Sequence, residues 1–196
     1  MINIENGGAF SLIGPNFDPV PTVSGASFAV DNAGLVLAAP FLEHLFLQRD
    51  LLVEGAGFAK DWRNRAAYAR AVFLTQYLVT GSKDISHADL ALNKVMCGGE
   101  PGDVVVEDFE PEAAETELCE SLLEIMLANW GPLSSGTSVD GLRDAFLQRS
   151  GVLSRGENGW TLTVKRQTLD ILIEQIGWGF RFLSLPWQSQ PIHVEW

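Results

Sequence analysis

Val152-Leu153-Ser154-Arg155-Gly156-Glu157-Asn158-Gly159-Trp160-Thr161-Leu162-Thr163-Val164 separates an all-helical reading of this chain from a mixed one. Trp160, Leu162 and Val164 alternate with Thr161 and Thr163, the period of a strand with one buried face. Gly156-Glu157-Asn158-Gly159 supplies the turn, with the Asn-Gly pair that two-residue hairpins favour. The stretch predicts a β-hairpin. The segments upstream of it carry helical periodicity. The expected class is therefore mainly α with an α+β element: a helical bundle with a small antiparallel hairpin or sheet near the C-terminus.

The helices follow from spacing and caps. Pro40 suits a first helical turn, so the apolar run Leu35–Ala39 leads into a helix that buries Leu42, Leu45 and Phe46. Asp61 to Thr80 is the strongest helical pattern, with Asp61 as N-cap and Gly81 as stop. It places Trp62, Ala66, Ala69, Phe73 and Tyr77 on one face, and it predicts a central position. Ser86-His87-Ala88-Asp89 resembles a capping box that opens a helix to Cys97. Pro111 marks the first turn of an amphipathic helix that Gly131-Pro132 ends. A shorter helix spans Val139 to Arg149. Gln167 to Ile176 reads as a further helix burying Leu169, Leu172 and Ile173, and Phe180 to Leu185 as a last strand.

Residues 1–31 are rich in Gly and Pro and carry few charges, which predicts an extended arm with a short strand at Ile2–Glu5. Residues 32–196 are expected to form a single globular domain with the hairpin and an aromatic tail. The net charge of −12 argues against nucleic acid and anionic lipid, both of which need Lys and Arg. The longest apolar stretch, Ala66 to Val79, is broken by Arg70 and Gln76 and falls short of the ~20 residues a bilayer requires. Met1 to Phe10 lacks the basic start of a secretory signal, so synthesis in the cytoplasm without membrane insertion is expected.

No contiguous catalytic motif stands out. His44, His87 and His193 are scattered, and no H-x-x-x-H or C-x-x-C pair occurs. Cys97 and Cys119 read as buried thiols. Cys97 falls at a predicted helix C-terminus, where the dipole disfavours a thiolate. There is no G-x-S-x-G and no P-loop, and Gly55-Ala56-Gly57 lacks the rest of a dinucleotide fingerprint. No cofactor, metal or enzymatic activity is expected.

Two surfaces attract attention instead. From Glu100 to Glu124 there are ten acidic residues and no basic one, and Glu117, Glu120 and Glu124 share a helix face opposite the apolar stripe. That face is either solvated or the contact for a basic partner. The tail holds three of the six tryptophans in its last twenty residues, whereas chain ends are usually polar. Trp187 and Trp196, flanked by prolines and polar residues, are read equally as interface anchors or as core.

Several blocks carry a resemblance. They are Asn32-Ala33-Gly34-Leu35-Val36-Leu37 with Pro40-Phe41-Leu42 and Leu45-Phe46, then Gln76-Tyr77-Leu78-Val79-Thr80-Gly81, and Leu92-Asn93-Lys94-Val95-Met96-Cys97-Gly98. Further on come Thr137-Ser138-Val139-Asp140-Gly141-Leu142-Arg143-Asp144-Ala145-Phe146-Leu147-Gln148-Arg149, Leu185-Pro186-Trp187 and the closing Val194-Glu195-Trp196. In this order they resemble the C-terminal globular region of the tape-measure protein family of contractile injection systems, which build phage-tail-like particles, or a short stand-alone member of it. The resemblance implies a structural and assembly role. Its partners would be tube, spike or baseplate proteins, with self-association in the particle, and its location the cytoplasm during assembly and then the particle.

A tape measure sets tube length with a long helix. At ~1.5 Å per residue even the whole chain as one helix would span only ~300 Å, and its glycines, prolines and hairpin forbid that. The resemblance thus points to docking, initiation or cargo attachment rather than measurement. Two other classes stay open: an acidic adaptor or chaperone that holds a cargo or tail protein before loading, and an enzyme with a non-contiguous site.

Overall fold

A computed structural model describes residues 25–87, 90–105 and 109–196. Within them the strands are β1 (Ser27–Val30), β2 (Leu52–Glu54), β3 (Lys60–Trp62), β4 (Gly151–Gly156), β5 (Gly159–Val164), β6 (Phe182–Leu183) and β7 (Ile192–Glu195). The α-helices are α1 (Ala39–Gln48), α2 (Arg65–Thr80), α3 (Ala91–Met96), α4 (Ala113–Asn129) and α5 (Val139–Leu142), the last running into a π-helical turn at Arg143–Leu147. Short 3-10 helices occupy Ala33–Ala38, Gly131–Leu133 and Thr168–Gln175.

The helical bundle expected from the sequence is not what forms. The fold is an α+β mix built on a five-stranded mixed sheet of order β1-β4-β5-β7-β6, with a second sheet of β2 and β3. The predicted hairpin supplies its middle, β4 against β5. β1 pairs antiparallel with β4, so Ser27–Val30 belongs to the sheet and not to an extended arm. β7 lies parallel to β5, with Trp160 opposite Ile192 and Leu162 opposite Val194. A parallel pair needs a long crossover, and residues 165–191 provide it. The β1–β4 pairing joins Ser27 to Ser154, 127 residues on, and the β5–β7 pairing joins Trp160 to Ile192, 32 residues on, and no local periodicity reports either. The strand predicted at Ile2–Glu5 lies outside the described residues.

Local chemistry explains where the helices begin. α2 starts at Arg65 because the Asn64 side chain accepts the Ala67 N–H at 2.8 Å; Asp61 is instead in β3, opposite Val53. Gly81, at φ 66°, ends it by donating to the Tyr77 carbonyl. Ala66 is exposed, so the buried stripe of α2 runs through Ala67, Ala71, Leu74 and Leu78. α4 opens with a reciprocal box between Glu112 and Glu115. Two predicted helices differ in kind. Thr168–Gln175 is a 3-10 helix that leaves Leu169 half exposed, and the stretch from Val139 changes from α to π pitch at Arg143. For the helix predicted after Ser86, residues 88 and 89 lie outside the described residues, and α3 begins at Ala91.

The most deeply buried segment is Ala33–Ala38, where every residue is buried. It sits between β5, α2, α3 and the π-helical turn, so the apolar run before Pro40 is the hub of the core. The inward sheet residues Leu153, Leu162, Ile192 and Val194 close the core from one side. Phe46, Phe73, Leu74 and Leu78 close it from the helical side.

Candidate interaction surface

The tail's first tryptophan is held inside the body. Trp187 is 8% exposed. Its ring meets Phe46 edge to face at 5.2 Å and lies 5.7 Å from Trp62. The last carbonyls of a helix lack intrahelical partners. At the end of α3 three side chains supply them: Trp187 Nε1 donates to Met96 O, Trp62 Nε1 to Cys97 O and Gln188 Nε2 to Val95 O, each at 2.9 Å. Gly98, at φ +82°, completes the joint, since a Cβ there would stand 2.4 Å from the Trp187 carbonyl oxygen. The Lys60 N–H donates to Pro186 O at 3.0 Å, which ties the small sheet to the same segment.

Trp196, 6% exposed, covers a buried charge pair. The Arg149 guanidinium lies 5.3 Å from its ring centroid, and Phe180 meets the ring edge to face at 6.0 Å. Arg149, fully buried, donates to both carboxylate oxygens of Asp170, at 2.7 and 3.1 Å, and to Lys165 O at 2.7 Å. Burial pushes the Asp170 carboxyl up, but bonds from Arg149 and from the Gln167 N–H outweigh it, and the group sits below its ordinary range.

The acidic helix divides. Glu120 Oε1 accepts from Arg143 Nη2 at 2.5 Å, and Arg143, only 5% exposed, also donates to Leu78 O at 3.2 Å. Glu120 thereby links α4 to α2 and the π-helical turn. Glu117 and Glu124 are exposed and form no ion pair among the described residues. Ile125, next to Glu124, is 50% exposed.

Cys97 and Cys119 are free and buried. Burial pushes the Cys119 thiol up to about 12 against the pull of Arg143, and burial raises Cys97 as well. His44 and His193 are exposed, while His87 packs edge to face on Phe73. No three metal-ligating side chains converge among the described residues.

Three surface features escape the sequence patterns. Phe58 is fully exposed at the tip of the β2–β3 hairpin, where Gly57 takes φ +67°. The signal was present: Gly55-Ala56-Gly57 between two short alternating runs is turn chemistry. The outer face of the five-stranded sheet carries Ala29, Val152, Thr163 and Glu195 in one row and His193 and Phe182 in the next. At the end of β5 and β7 is a cleft of about 480 Å³ between Arg166, Arg181, His193 and Trp196. It depends on β7 lying beside β5, which only the fold reveals.

Among known proteins, a family described as contractile injection system tape measure protein matches residues 17–196, most of the chain. No curated protein and no solved structure matches.

Proposed function

We propose that this chain, which belongs to the contractile injection system tape measure protein family, acts as a docking body for other particle proteins and not as a length gauge. A gauge must be long and extended. Among the described residues the longest helix is α4, whose 17 residues span about 25 Å. The observation that carries the proposal is the combination of that family match with a packed sheet-and-helix body. Its exposed apolar side chains, Phe58, Phe182 and Ile125, suit contact with tube, spike or baseplate proteins. Trp187 and Trp196 serve that contact from within, by fixing the shape of the body that docks. Catalysis is no part of the role.

A second reading has its own support. Glu117 and Glu124 stand exposed and without an ion pair among the described residues, as an acidic adaptor for a basic cargo or tail protein would present them. No described helix is long and apolar enough to cross a membrane, so assembly in the cytoplasm needs no insertion step. The test is to tag the chain in producing cells, purify intact particles and identify their proteins by mass spectrometry. Fixed stoichiometry with tube or baseplate proteins supports docking. Presence in cell extracts with cargo, but absence from finished particles, would replace docking by the adaptor role.

A further inference from the structure

Cations are scarce in this chain, and most are occupied. Among the described residues eight of the thirteen Lys and Arg side chains form ion pairs. Lys94 and Arg65 donate to the main-chain carbonyls of Pro101 and Val104. The remaining three, Lys165, Arg166 and Arg181, are exposed, and Arg166 and Arg181 line the cleft at the end of β5 and β7. Arg166 is held there by its bond to Trp196 O at 3.2 Å, while Arg181 and Lys165 have no acidic partner among the described residues. Among the described residues Glu195 is the only acidic side chain lining the cleft, and it accepts from Thr163 Oγ1 at 2.9 Å. Val164, Val194 and Trp196 supply apolar walls. A chain of net charge −12 thus carries one concave, locally positive site with an apolar lining.

The complementary surface lies on the same chain. Glu117 and Glu124 stand two turns apart on the exposed side of α4, about 10 Å along its axis. Ile125 beside them is a half-exposed apolar side chain. Among the described residues no ion pair joins α4 to the cleft within one copy. We propose that the cleft of one copy receives the Glu117–Ile125 side of α4 from a second copy, with carboxylates meeting Arg166 and Arg181 and Ile125 meeting the apolar walls. The contact joins two different patches, so it is head-to-tail, and repetition of it builds a ring or a filament. Long-range repulsion between acidic copies opposes it, but salt shortens that repulsion to about 8 Å at physiological strength, so the local match decides. The idea is independent of the docking role.

Sedimentation velocity on the purified chain tests it. The expected wild-type result is concentration-dependent association at moderate salt and monomer at about 1 M salt, where charges are screened beyond about 3 Å. R181E alters only the cleft, and E117K/E124K only the helix. All three positions are exposed, so both proteins should keep the wild-type melting temperature. Each alone should associate at least tenfold more weakly. Mixed together, the R181E cleft meets the basic helix of the other variant, and that variant's unchanged cleft meets the acidic helix of the R181E protein, so association that alternates the two proteins should return. A wild type that stays monomeric at every concentration overturns the proposal. Association lost in R181E but kept in E117K/E124K also overturns it, because the occupant is then another acidic segment.

Discussion

A Cβ on Gly34 would stand 1.8 Å from the Phe146 carbonyl oxygen. The buried 3-10 helix and the π-helical turn therefore touch backbone to backbone, and the Ala33 N–H seals the contact by donating to Arg149 O at 2.8 Å. Neither side can yield by turning a side chain. Gly34→Ala should cost more than about 3 kcal/mol, above the usual range for an added methyl group. Gly131→Ala is the control, because a Cβ there meets nothing within 4 Å. Thermal melts should show a large loss for the first and little change for the second; equal melting temperatures would remove the hub from the account.

The Arg149–Asp170 pair predicts an acid-sensitive fold. Asp170 has a folded pKa below its ordinary value. Its contribution is thus complete above the unfolded value of about 3.9 and lost as pH falls through the lower folded value. Asp170→Asn strands a buried guanidinium and should cost about 3–5 kcal/mol at neutral pH. Melting temperatures taken from pH 7 to pH 2 should show a steady gap between wild type and variant down to about pH 4 and a gap that narrows below it. A gap that stays constant with pH would mean the carboxylate's charge is not what stabilises.

How much of this was legible follows from the range of each interaction. The β4–β5 hairpin is local, and alternation found it, although the two-residue turn is Glu157-Asn158. Gly159 serves the sheet: a Cβ there would stand 2.5 Å from the Pro191 carbonyl. That requirement comes from the segment that leads into the adjacent strand β7 and has no trace in local pattern. The strand nature of Ile192–Glu195 was hidden for the same reason, since four residues of alternation inside an aromatic tail resemble many loops. Glu117 and Glu124 were readable as an exposed face. Arg143 beneath Glu120, and the cationic cleft, were not, because each depends on elements that converge only in the fold.

Phe58 contributes nothing visible to stability. The stem below it is secured by the Gly55 N–H bond to Ala59 O, by Lys60 paired with Glu54 and by Trp62 in the aromatic cluster. Phe58→Ser should change stability by no more than about 0.5 kcal/mol. If the hairpin tip contacts a particle protein, the same variant should be depleted from purified particles. Normal incorporation would take the tip out of the docking surface while leaving the docking role intact.

The thiols offer a probe of opening. Both lie in the core, and burial holds Cys119 near 12 and raises Cys97. Near pH 8 a thiol reagent should find almost no thiolate in the native state, so labelling should follow unfolding. Mild denaturant should accelerate it, and stoichiometric labelling within seconds in buffer would contradict the packing.

Truncation after Gln188 decides what the end of the chain does. It leaves Trp187 on α3 but removes β7, which sits between β5 and β6. Ile192 and Val194, both buried, go with it, and so does the Trp196 ring over Arg149. β6, only two residues long, loses its partner, and the parallel edge of β5 is left open for pairing with other chains. Removing three large apolar side chains costs several kcal/mol, comparable with the whole stability of a typical domain. The truncated chain should aggregate or melt many degrees lower, and Trp196→Ala alone should lower the melt by a smaller step. If the truncated chain instead stays monodisperse with an unchanged melt and only fails to join particles, the tail is an interface element and its packing on the sheet is dispensable.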